Sequence, residues 1–256
     1  MKKLILGATF AGFAAAASHA AFADEGVIRA RLVVSSNNYE LSFDDKAPYA
    51  NRSAKSSYSM TGLGLTAVSA GGAYIDFVAQ NSGSAKHDLW NNLAGNPPPQ
   101  AFKREEAAVT LGVSTRMGEG ASSAFLGYKT GTSTLDAPPL TFTWTKDIFE
   151  SSGLFFGGGF AFPALNGNIG LNGALALMSG KWTDNDVPPY NNKADTTVGF
   201  SFGASYSYMF TGNVGMSIDW KYNAYSYNFA VYSVTVPAYT VTEKINSIGV
   251  NLLAQF

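Results

Sequence analysis

The sequence predicts an all-β chain: an antiparallel up-and-down transmembrane β-barrel of ten strands, apolar face outward. Three observations carry that expectation. Apolar and polar residues alternate with a period of two through most of the chain, as in strands with two unlike faces. The charged residues within the cores of those strands fall on the face opposite the apolar stripe. The connections between strands alternate in length, short then long.

Strands are expected at about 26–36, 56–68, 72–80, 103–116, 122–131, 152–162, 167–179, 196–210, 213–225 and 246–256. In the first, Ile28, Ala30, Leu32 and Val34 face one way and Arg29 and Arg31 the other. The second sets Leu63 and Leu65 against Gly62, Gly64 and Thr66, and the third sets Ile75 and Phe77 against Tyr74 and Asp76. The fourth opposes Val109, Leu111 and Val113 to Glu106, Thr110 and Arg116; the fifth opposes Leu126 and Tyr128 to Lys129. The sixth has Leu154, Phe156 and Phe160 against Phe155, Gly157 and Gly159. The seventh has Ile169, Leu171 and Leu175 against Asn172 and Ala174. The eighth is the clearest: Phe200, Phe202, Tyr206 and Tyr208 alternate with Ser201, Gly203, Ser205 and Ser207. The ninth pairs Ile218, Trp220 and Tyr222 with Asp219 and Lys221 opposite; the tenth carries Ile248, Val250, Leu252, Ala254 and Phe256 on one face.

Arg or Lys on a lipid-facing strand position costs roughly 2–4 kcal/mol near mid-membrane, whereas an interior position tolerates it. The candidate lumen residues are therefore Arg29, Arg31, Asp76, Glu106, Arg116, Lys129, Asp219 and Lys221. The main expectation is that they pair and fill the interior; the alternative is a narrow, weakly anion-favouring pore. The small inward residues of the sixth to tenth strands argue for some free space inside.

Short turns fall at 69–72, 117–121, 163–167 and 211–213, where Gly or Asn supplies the positive φ of a tight hairpin. Five longer segments, 37–55, 81–102, 132–151, 180–195 and 226–244, are read as external loops. The stretches 140–145 and 229–235 also alternate; as extra strands they would give twelve, but they are read as strand extensions above the membrane. Among the loop aromatics Trp90, Trp144, Trp182, Tyr190 and Tyr239 are candidate contacts for a partner or a sugar.

The chain opens Met1-Lys2-Lys3, runs apolar from Leu4 to Ala17 and reaches small residues before Asp24. These are the parts of a secretory signal peptide over 1–23, cut after Ala23 or, second choice, Ala20. A single domain, 24–256, would remain, with 15 Lys+Arg against 18 Asp+Glu once Lys2 and Lys3 are lost. That balance gives no basic footprint for nucleic acid. With no cysteine there is no disulfide framework and no thiolate site.

Signal peptide, phased strands, alternating connections and the terminal Phe256 together make the chain resemble the small outer-membrane β-barrel proteins of Gram-negative bacteria. The resemblance implies export through the inner membrane to the cell outer membrane, among its lipid and lipopolysaccharide. It further implies handling by periplasmic chaperones and by the barrel-assembly machinery, with Phe256, Leu252 and Val250 as the recognition signal. It is a superfamily likeness, so no functional residue carries over.

Catalysis has little to draw on. After signal removal His87 is the one histidine left, beside Asp88. Neighbours in an extended segment point apart, and general acid–base work needs an oriented imidazole. His87 is read as a solvated loop residue, and no catalytic residue or cofactor is assigned. Asp184-Asn185-Asp186 lacks the spacing of a calcium loop, so no metal site is assigned either. The expected role is non-enzymatic: a barrel presenting external loops or supporting the envelope. A narrow channel is the alternative, and a membrane hydrolase or acyltransferase the third reading.

Overall fold

A computed structural model describes residues 26–44, 53–88, 100–137, 145–184, 190–230 and 238–256. The described chain is all strand and turn. In order come β1 (Val27–Phe43), β2 (Ser53–Val68), β3 (Ala73–Ser82), β4 (Ala85–His87), β5 (Gln100–Met117) and β6 (Gly120–Ala137). They are followed by β7 (Thr145–Ala164), β8 (Gly167–Asp184), β9 (Tyr190–Lys193), β10 (Thr197–Met209), β11 (Val214–Phe229) and β12 (Tyr239–Gln255). Ten of these form one closed antiparallel ring, each beside its sequence neighbours, and β12 seals it by pairing with β1 from Arg29↔Gln255 to Phe43↔Val241. The other two are short extensions: β4 lies on β5 and β9 on β8, while β8 pairs directly with β10 lower down.

The ten-strand ring agrees with the expected count, and the extra strands are not where the alternative of twelve placed them. Thr145 opens β7 and Phe229 ends β11; most of 140–145 and 229–235, like 1–23, lies outside the described residues. The short turns sit as expected. Leu165 (φ 51°) and Asn166 (φ 61°) make the two-residue link between β7 and β8, the backbone of a hairpin turn with positive φ at both positions. A leucine occupying one of these was not foreseen. The Tyr206 hydroxyl donates to its carbonyl at 2.8 Å.

The long segments are corrected. Their described parts are mainly strand, so β7 reaches 20 residues where about 9–11 suffice to cross a membrane. At about 3.3 Å per residue and a tilt near 40°, such a strand rises about 50 Å. The barrel therefore continues well past its apolar belt on the side away from the short turns.

The reason the sequence hid this lies in β1. In its lower part, near the short turns, Ile28, Leu32 and Val34 are exposed outside and Arg29, Arg31 and Ser35 are buried inside. From Ser36 onward the polarity changes sides: Asn38 is exposed outside, whereas Tyr39, Leu41 and Phe43 are buried inside. β2, β11 and β12 switch likewise. The molecule is thus a lower barrel with an apolar exterior and an upper sleeve with an apolar interior. Tyr39, Phe102, Leu135, Phe149, Trp182, Tyr227 and Val241 belong to one continuous buried cluster filling that interior.

Candidate functional site

The inward-facing side chains are the place to look for function, taken from the short-turn end upward. Arg116 stands exposed at the lower rim beside the β5–β6 turn, not inside the lumen as expected, because the strand ends one residue later. Arg29, Arg31, Asp76, Glu106, Lys129, Asp219 and Lys221 are all buried within the barrel. Arg29 Nε donates to Gln255 Oε1 at 2.8 Å. The Arg31 guanidinium grips both Asp76 oxygens, at 2.8 and 2.9 Å, and donates to Thr66 Oγ1 at 2.7 Å. Asn251 bridges Ser217 and Asp219. Higher up, Lys129 Nζ donates to the Tyr225 hydroxyl at 2.6 Å across the lumen, and Tyr225 donates on to Asn223.

At the junction of lower barrel and upper sleeve lies the densest polar cluster. Arg104 on β5 donates to Glu106, to Ser133 Oγ at 2.6 Å and to Glu243 Oε1 on β12 at 2.8 Å. Its guanidinium stacks 5.1 Å from the Tyr39 ring centroid, and Tyr227 caps the other Glu243 oxygen at 3.0 Å. Sequence reasoning missed Arg104 and Glu243. Arg104 shares the parity of Glu106 and could have been found; Glu243 sat in a segment read as loop.

Above this cluster the interior is aromatic. Trp182, expected as a loop contact, is buried inside the sleeve, edge-on to Phe43 at 5.3 Å and tilted against Phe149 at 6.1 Å. Tyr239 is stacked on Phe229 at 4.8 Å, also inside. Both sit there because the apolar face of the sleeve points inward. Trp90 and Trp144 lie outside the described residues; the Tyr190 backbone pairs with Asp184 at the end of β8. His87 is not solvated. It is buried in β4, its Nε2 3.0 Å from the Asp136 carbonyl oxygen, and burial pulls its pKa below the usual 6.5. Among the described residues no three His, Cys, Asp or Glu side chains cluster as a metal site.

The small inward residues do not leave free space at these levels. A Cβ on Gly199 would stand 2.1 Å from Tyr225 Cδ1 and one on Gly157 2.7 Å from Phe125 Cζ, as one on Gly112 of β5 would stand 2.3 Å from Tyr74 Cζ. Each glycine is where a large side chain from a neighbouring strand lies flat against the wall. The expectation of spare volume fails there, because small and large residues interlock.

A solved structure shares this architecture. The outer membrane protease OmpT from Escherichia coli superposes with a TM-score of 0.54 at 9% identity, over 91% of this chain and 97% of that one. The shared fold is a closed antiparallel β-barrel. The translocator domain of the autotransporter NalP from Neisseria meningitidis gives 0.46 at 8% identity, covering 87% of each chain. Neisserial surface protein A gives 0.36 at 11%, covering 89% of this chain and 98% of that one. No protein-family model matches the sequence, and no curated protein matches it. At such identities the likeness is one of fold, and no activity is carried by it.

Proposed function

We propose that this chain is a sealed, non-enzymatic outer-membrane barrel that holds a rigid polar sleeve and its loops at the cell surface. The observation that carries the reading is the filled interior: Arg104 with Glu106 and Glu243 spans the lumen, and an aromatic cluster lies above it. The outward Leu, Val, Ile and Phe belt on the lower barrel supports insertion in lipid, and the closing strand ending in Phe256 supports handling by the assembly machinery. Against hydrolysis stands His87, buried and held by a backbone carbonyl.

A narrow channel is the second reading, favoured by the Ser and Gly positions that β10 turns inward. Conductance decides between them. Refolded 24–256 in planar lipid bilayers is expected to give silent, fully inserted barrels. Regular single-channel steps from folded protein would replace the sealed reading with the channel.

A further inference from the structure

The apolar belt on the outer wall is not the same height all round. Along β10 the outward side chains are apolar or aromatic from Phe210 up to Val198, a rise of about 30 Å at about 3.3 Å per residue and a tilt near 40°. On β2 the outward face is apolar only from Ala67 up to Leu63, about 10 Å on the same measure, and Thr61 and Ser59 follow. Ser36 on β1 pairs with Ser59, and Asn81 on β3 pairs with Thr61. All four are exposed, and with Ser57 and Ser84 they line a recess of about 650 Å³. The apolar band of an outer-membrane barrel is about 25 Å tall. These four polar side chains therefore stand at a depth that β10 gives to hydrocarbon.

Among the described residues, the hydroxyls of Ser36, Ser59 and Thr61 and the amide of Asn81 hold no hydrogen bond. Facing lipid, each would go without a partner at a cost in free energy, since an acyl chain neither donates nor accepts. No ionised side chain lines the recess, so a charged ligand has nothing there to select it. A hydroxyl or a primary amide both donates and accepts. The patch is thus complementary to itself.

Geometry permits that pairing. Two copies in one membrane share an orientation, so a two-fold axis between them runs along the membrane normal. With that axis in front of β2, Ser59 and Thr61 face their own counterparts, and β1 of one copy faces β3 of the other. Register rows climb around the wall: the row through Ala67, at the foot of β2, reaches β11 at Ala224, ten residues beyond Val214. The same slope sets Ser36 about one residue below Ser59 and Asn81 about one residue above Thr61. Ser36 of one copy then stands level with Asn81 of the other. Facing strands cross at about twice the tilt, so the two Lys55 residues, higher on β2, diverge to about 17 Å. That is beyond the screening length at physiological salt, and the like charges do not meet.

We propose that this neutral patch is a dimer interface whose partner is a second copy of the chain, with Ser36, Ser59, Thr61 and Asn81 bonding across it. The inference rests on the outer-membrane reading above and leaves the barrel interior unchanged.

The chain has no cysteine, so one introduced thiol reports on the contact. In refolded 24–256 in vesicles, oxidised Thr61→Cys should give a disulfide-linked dimer, whereas Leu177→Cys on the opposite wall should stay monomeric. Counting fluorophore bleaching steps at low protein density gives the association constant. It should fall about tenfold, about 1.4 kcal/mol, in the Ser59→Leu/Thr61→Leu variant, with folding checked by heat-dependent gel mobility. It should rise from short-chain to long-chain phosphatidylcholine, because the short belt of β2 is then more strongly mismatched. A wild-type chain that inserts but stays monomeric in both lipids overturns the interface, the bilayer thinning there instead. Undiminished association of the leucine variant, or equal cross-linking through Leu177→Cys, overturns it too. Failure of the wild-type chain to insert into vesicles overturns the outer-membrane reading and the interface with it.

Discussion

Eight strands run through both the lower barrel and the upper sleeve with the same two-residue alternation, β4 and β9 standing above β3 and β10. Yet the two regions are solvated in opposite senses. Below, Leu63 and Leu65 look out while Thr66 and Arg31 are buried, and Arg31 is paired there with Asp76 and Thr66. Above, Ser57 and Lys55 look out while Tyr58, Phe102 and Tyr39 pack inside. The sleeve is held as a water-soluble domain is, by burying apolar area; the lower barrel has no such gain on its outer face and relies on closed backbone pairing and paired interior polar groups. The difference teaches that strand alternation specifies two faces but not which of them is wet.

The contrast can be broken at several points. The largest effect is expected at the junction. Arg104→Ala leaves Glu106 and Glu243 buried without their cation and should cost about 3–5 kcal/mol, read as a lower denaturant midpoint for the refolded barrel. A partner experiment places one charge at two heights on β2. Leu65→Arg on the lipid face should cost about 2–4 kcal/mol, whereas Ser57→Arg, eight positions higher along the strand, should cost about 0–1 kcal/mol. Equal costs would mean that the polarity boundary is not where the exposed residues put it.

Next comes the interlock of small and large residues. Gly112→Ala forces the Tyr74 ring off the wall and should destabilise by about 1–3 kcal/mol; Gly112→Ala combined with Tyr74→Leu should recover most of that loss. The smallest effect is a pH dependence. His87 has a folded pKa below its unfolded value of 6.5, so its contribution is complete above that value. It is lost as pH falls through 6.5 toward the folded pKa, because the unfolded chain takes the proton first. Between pH about 7.5 and about 5.5 the unfolding midpoint should drop, and His87→Gln should flatten that part of the profile.

How much of this was legible beforehand follows from the same boundary. The lower barrel was readable because its outward residues are uniformly apolar and its charges keep one parity: Arg29, Arg31, Asp76, Asp219 and Lys221 are all buried inside. The turns were readable from Gly and Asn, although Leu165 with positive φ was not. The sleeve was hidden because a strand with Ser, Thr and Lys on one face resembles a loop when the other face carries mixed Tyr, Glu and Val. Segments such as Thr240–Lys244 keep the alternation, but the expected apolar face had moved inward. Trp182, Tyr239 and His87 were misplaced for that one reason.

The Arg104–Glu243 contact joins positions 139 apart in the chain, and its carboxylate belongs to the final strand. Until β12 lies against β1, Arg104 has only its near neighbour Glu106 for a counter-ion, and Glu243, Tyr227 and Tyr39 have not yet been brought together. Chemical completion of the interior and geometric closure of the wall are therefore one event. A nascent sheet missing its last strand carries an incomplete ionic centre as well as two open edges, which distinguishes finished barrels from unfinished ones by charge as much as by shape.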